Sequence, residues 1–209
     1  MAAIKKGFAG PKNARGVPVY TGFPFETGIA ASGAGGIPGL LNPGPSPVGG
    51  PNLSLELDVD EAAAAIAANS RTALTDTVST DLSTFSGHGG KLIFYHGLSD
   101  PWFSPLDTLA YYEQLGNAAA WSRLYLVPGM GHCQGGAATL DHFDALSAVV
   151  DWVEKGVAPD SITATGKAFP GRSRPLCAWP NRVMRKTLRI SSATSKAQAK
   201  GLLHTGFVK

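Results

Sequence analysis

Two short apolar runs, Lys91 to Tyr95 and Arg123 to Val127, each bounded by Gly or Pro, dominate the middle of the chain. Continuous apolar runs of this length suit strands covered on both faces. Between them Leu106, Leu109, Ala110 and Tyr112 to Leu115 recur at helical spacing, behind a capping serine, Ser104, and a proline at the first helical position, Pro105. The unit reads as strand, helix, strand. A right-handed crossover of this kind brings both strand ends to one edge of a parallel sheet. A second helix is predicted from Thr139 or Asp141 onward, with Phe143, Leu146, Val149, Val150 and Val153 as its apolar stripe and Gly156 as its stop.

Upstream the periodicity is weaker. Residues 4 to 25 carry turn signals every few positions and predict a surface segment, with one short strand at Val17 to Tyr20. Residues 28 to 52 are mostly Gly, Pro, Ala and Ser and predict a flexible loop. Leu53 to Val59 alternates at period two, whereas Asp58 or Asp60 can cap a helix over the alanines that follow; the favoured reading is an extended entry and then that helix. Beyond Pro159 the pattern fades. The chain thus divides into a loop-rich segment over 1–85, an α/β half over 86–180 and a tail over 181–209 expected to be disordered.

Candidate chemistry sits on the two loops that follow the strands. Asp100 comes directly after the first, and His132 after the second, in a turn made tight by Gly129 and Gly131. An acid and a histidine facing one crevice, in that chain order, are two members of a hydrolase triad. An isolated Asp-Pro pair such as Asp100-Pro101 would be a mere turn starter, and Asp107, Asp141 and Asp144 read as helix-cap residues, with His142 on a helix surface.

Taken together, HGLSDPWFSP, PGMGHC, the helix FDALSAVVDWVEKGVAPD and RPLC resemble the C-terminal part of the tannase and feruloyl esterase family, up to about Pro180. The resemblance implies an α/β fold, the C-terminal part of an α/β-hydrolase sheet with an irregular Gly/Pro-rich N-terminal region. It also implies a carboxylic ester hydrolase acting on phenolic or aromatic acid esters through a Ser-His-Asp triad. By motif the acid is Asp100 and the base His132, while His96 and Phe103 correspond to positions that contact the substrate in the acyl pocket. For Phe103 and Trp102 a simpler role, covering the strand end, stands equally open. Cys133 corresponds to a cysteine that pairs, in the family, with one beside the serine; that partner is absent, so Cys133 is either free, the favoured state, or joined to Cys177. The nucleophile has no counterpart either. Ser46, Ser99 and Ser173 only approximate Gly-x-Ser-x-Gly, and none lies in a strand-to-helix elbow. The expectation is a fragment inactive alone, apart from trace activity through Ser99, with the serine on a separate N-terminal half.

Charge adds one alternative. All 15 acidic residues precede position 161, together with 8 of the 18 Lys and Arg, and the remaining 10 bases follow without an acid. A basic tail can attract phosphate backbones, which gives a non-catalytic binding protein as the second reading. The tail lacks motifs and aromatic interleaving, so no nucleic-acid partner is expected. Neither a metal site nor a cofactor is suggested, no apolar run is long enough for a membrane span, and the first residues lack the apolar core of a signal peptide. A secreted or periplasmic location is implied by the family alone.

Overall fold

The two apolar runs form β1 (Leu92–Gly97) and β2 (Ser122–Val127), a parallel pair in the register Leu92 to Ser122 through Gly97 to Val127. The computed structural model describes residues 5, 7–26 and 58–181, so the loop over 28–52, the extended entry before Asp58 and the basic tail beyond Asn181 lie outside the described residues. Ahead of β1 come α1 (Val59–Ala68), capped by Asp58, and two short helices, α2 (Thr72–Thr75) and α3 (Ser83–Gly87). The crossover is α4 (Pro105–Gln114), whose cap Ser104 accepts from the Leu106 amide as the Ser-Pro pair predicts.

Alternate residues of the strands feed two cores. Phe94, Leu124 and Leu126 pack with Leu109, Tyr112 and Leu115 of the crossover helix. On the other face Ile93, Tyr125 and Val127 meet Met130 and an antiparallel hairpin of β3 (Ser161–Thr165) and β4 (Ser173–Cys177). This two-sided burial is why the runs are apolar without alternation. Each fully buried side chain of the size of Leu124 contributes about 1.5–3 kcal/mol. The hairpin is tied to β2 by the Trp179 amide, which donates to the Leu124 carbonyl at 2.7 Å.

That hairpin occupies the region where the sequence pattern fades. Its signal is short: in Ser161–Thr165 only Ile162 and Ala164 are buried, a five-residue alternation, and Pro175 interrupts the partner strand. The last helix, α5 (Ala145–Lys155), differs from expectation in start and face. Asp144 is its cap, accepting from the Ser147 amide at 2.8 Å, and Gly156 ends it in the left-handed region. Thr139 and Asp141 belong to the preceding loop, and His142 forms a β-bridge with Thr165 rather than lying on the helix. Trp152 is its buried residue, with Lys91 and Arg123 over the indole, and Ala145 and Ala148 are half-buried against the core, whereas Leu146 and Val153 are exposed at 73% and 61%. Among the described residues β1 pairs only with β2, so its other edge is open and Tyr95 beside it is 47% exposed.

The N-terminal segment is more than surface. Phe8 is buried and stacks on Phe25, and the strand expected at Val17 to Tyr20 is reduced to a single bridge between Lys12 and Pro18. Its role is to cover the start of α4. The Ser104 amide donates to the Tyr20 hydroxyl at 3.1 Å, and the Ser104 hydroxyl donates to the Gly22 carbonyl.

Candidate active site

The two loops converge because the backbone lets them touch. At the end of β1 the Ser99 amide donates to the Met130 carbonyl at 2.9 Å, and a β-carbon on Gly97 would press into that same carbonyl. Glycine is therefore required where the histidine loop crosses the strand end. Gly129, in the left-handed region, then turns the chain so that Met130 is buried as an anchor and His132 emerges beyond it.

Four donors surround the Asp100 carboxylate. Oδ1 accepts from the amides of Trp102 at 2.8 Å and Phe103 at 3.0 Å, closing the turn at Pro101. Oδ2 lies 2.8 Å from His132 Nδ1 and 3.3 Å from His96 Nε2. Burial of Asp100 opposes ionisation, but the hydrogen bonds from His96, His132 and the Phe103 and Trp102 amides together outweigh it and hold the carboxyl at about 2. The group is a fixed anion at neutral pH.

His132 is held from the loop side as well. The Gln134 amide donates to the His132 carbonyl, the Gly131 amide to the Gly135 carbonyl, and the Gly135 amide to Asp141 Oδ2 at 2.7 Å. Thr139 donates to the Pro128 carbonyl at 2.9 Å. The two residues expected to start a helix thus fasten the histidine loop, since their short polar side chains reach nearby backbone groups more readily than they begin α5. The imidazole lies against the exposed rings of Trp102 and Phe103, at centroid distances of 4.8 and 5.3 Å.

All four residues expected at the site, Asp100, His132, His96 and Phe103, are brought together. Cys133 adjoins them as a free, exposed thiol, and Cys177 is free as well. Among the described residues no cluster of three or more His, Cys, Asp or Glu could hold a metal ion, and no helix is long and apolar enough to cross a membrane. The support given by Tyr20, Thr139 and Asp141 escaped the sequence reading. Tyr20 is 84 residues from the amide it receives, and no local pattern marks such a pairing.

An Nδ1–H held on an anionic carboxylate fixes the imidazole tautomer and leaves Nε2 as the atom that can take a proton. An arrangement of this kind can serve as a general base backed by an acid. The solved feruloyl esterase B of Aspergillus oryzae superposes with a TM-score of 0.62 at 20% identity, over 87% of this chain and 41% of that one. Tannin acyl hydrolase of Aspergillus niger gives 0.62 at 24% identity, over 87% and 39%. Likeness at these identities is one of fold, and the fold is the C-terminal portion of an α/β-hydrolase.

Among curated relatives, a mono(2-hydroxyethyl) terephthalate hydrolase of Piscinibacter sakaiensis is 36% identical over 86% of this chain and 38% of its own length. A tannase of Aspergillus oryzae is 31% identical over 51% of this chain and 21% of its own. The chain therefore spans well under half the length of these relatives. The sequence profile described as tannase and feruloyl esterase matches residues 51–199, and the chain belongs to that family.

Proposed function

We propose that this chain carries the acid and the base of a serine-type carboxylic ester hydrolase acting on phenolic or aromatic acid esters, with the nucleophilic serine supplied from outside these 209 residues. The observation that carries the reading is the 2.8 Å contact between His132 Nδ1 and Asp100 Oδ2, made by two successive strand-end loops of one sheet. In the assembled site the serine hydroxyl gives its proton to His132 Nε2 as its oxygen bonds to the ester carbonyl carbon. Collapse of the tetrahedral intermediate expels the alcohol, which takes that proton from the imidazolium; water, deprotonated by the same nitrogen, then releases the acid and restores the serine. Asp100 stays ionised throughout and stabilises the imidazolium. Phe103, exposed beside the imidazole, offers an aromatic face to the acyl group, and His96 offers the 14% of its side chain that the protein leaves uncovered. A secreted or periplasmic location belongs to the same reading.

Hydrolysis of an aromatic methyl ester tests it, with the chain alone, the chain plus an N-terminal half bearing the serine, and His132→Ala in each. The reading requires turnover only in the assembled pair, and only with His132. Turnover by the chain alone that His132→Ala abolishes would instead place the nucleophile within this chain, with Ser99 the first candidate. Turnover indifferent to His132 would refute the reading.

A further inference from the structure

Asp100 has a second histidine on the same oxygen as the first. His96 Nε2 stands 3.3 Å from Asp100 Oδ2 and 3.1 Å from the Phe103 carbonyl, while its Nδ1 is 2.7 Å from the Thr108 hydroxyl. The carbonyl and the ionised carboxylate are acceptors only, so Nε2 carries the hydrogen: it donates to the Phe103 carbonyl and stands against Asp100 Oδ2 at ion-pair distance. In the neutral ring Nδ1 then accepts from Thr108. The tautomer of His96 is fixed by its surroundings, and its ring joins three elements: β1, from which it projects, the loop holding Asp100 and Phe103, and α4 through Thr108.

The two amide bonds to Oδ1 hold one end of the Asp100 carboxylate but leave it able to pivot about that oxygen. His96 Nε2 stands 3.3 Å from Oδ2 and limits that pivot, and its bond to the Phe103 carbonyl closes the loop around the acid. We propose that His96 is a positioning residue, a clasp that keeps Asp100 Oδ2 in line with His132 Nδ1; the proposal rests on the acid and base roles given to that pair. Both ring nitrogens are engaged by the protein, so the ring has no polar atom to spare for a substrate. The carboxylates facing His96 are Asp100 and, from the first turn of α4, Asp107.

The clasp is tested in the full chain by nuclear magnetic resonance of isotope-labelled imidazoles, comparing the wild type with His96→Phe, which lacks the donor, and His96→Gln, whose side-chain amide places one near Nε2. His132→Gln assigns the His132 signal. The wild type should show a protected, low-field Nδ1 proton on His132, held on Asp100 Oδ2. His96→Phe should lose the protected proton and shift the ring toward the Nε2–H form, and His96→Gln should restore both. In the assembled enzyme His96→Phe should lower kcat by up to about 100-fold, by a larger factor than it raises KM, as expected for a displaced catalytic group. A folded His96→Phe with the His132 signal unaltered overturns the proposal, as does a folded His96→Gln that fails to restore it. Should His96→Phe not fold, Thr108→Val decides: a weakened His132 signal supports the clasp, and an unchanged one overturns it. The resonance readout needs no turnover, so an inactive assembled enzyme would count against the esterase reading without bearing on the clasp.

Discussion

Gly97 and the carbonyl of Met130 are in contact across the two active loops, and a methyl group on Gly97 has no room that the carbonyl does not already fill. The neighbour is backbone and cannot swing aside as a side chain would. Gly97→Ala should therefore push the histidine loop off the strand end, destabilising the fold by about 1–3 kcal/mol, the usual cost of overpacking. Denaturant unfolding measures the loss. The His132 resonance should shift in the same variant, because Met130 lies two residues before that ring.

Asp100 makes stability depend on pH in a defined window. Its carboxyl titrates near 2 in the folded chain against an ordinary value of 3.8, so the folded state favours the anion. The sign follows from linkage: this contribution is complete above about pH 4 and is lost as pH falls through about 2. A shift of this size corresponds to roughly 2 kcal/mol. Asp100→Asn should be less stable at neutral pH and lose less stability between pH 4 and 2 than the wild type. Equal slopes for the two proteins would contradict the assignment.

Tyr125 is fully buried, and its hydroxyl donates to the Pro159 carbonyl, joining β2 to the segment before the hairpin. Tyr125→Phe leaves that carbonyl without its donor and should cost about 1–3 kcal/mol. Burial, only partly offset by Arg123, pushes the phenol up to about 12 from 10.0, so the folded state keeps the proton while the unfolded chain loses it. Stability should fall from pH 10 toward 12 in the wild type, and Tyr125→Phe should remove that component. Alkaline unfolding followed by circular dichroism reads both effects.

Strands β1 and β2 and their crossover were legible because double-sided burial writes an unbroken apolar run, and because Ser104 and Pro105 mark a helix start by local chemistry alone. The order of Asp100 and His132 after those runs was enough to bring them to one crevice. Other features depend on partners far away in sequence. The Tyr20 contact and the support from Asp141 leave no periodic trace, and the hairpin leaves one of only five residues. The face of α5 is hard to read for a related reason: its valines and leucine outnumber Trp152, yet Trp152 is the residue it buries, Ala145 and Ala148 pack on the core, and Leu146 and Val153 are left outside. His96 shows the same limit at the site, since sequence places it near the acid but only structure shows both of its nitrogens taken.

The central claim is that Asp100 and His132 work as one acid and base pair on an ester. The most direct measurement joins the chain to an N-terminal half bearing a nucleophilic serine and compares kcat on an aromatic methyl ester for the wild type, Asp100→Asn and His132→Ala. The account predicts turnover in the assembled wild type, and for Asp100→Asn a loss on the order of 10⁴-fold, the scale reached when a triad histidine is left in the wrong tautomer. Loss in His132→Ala should be at least as large. Undiminished turnover in either variant would contradict it.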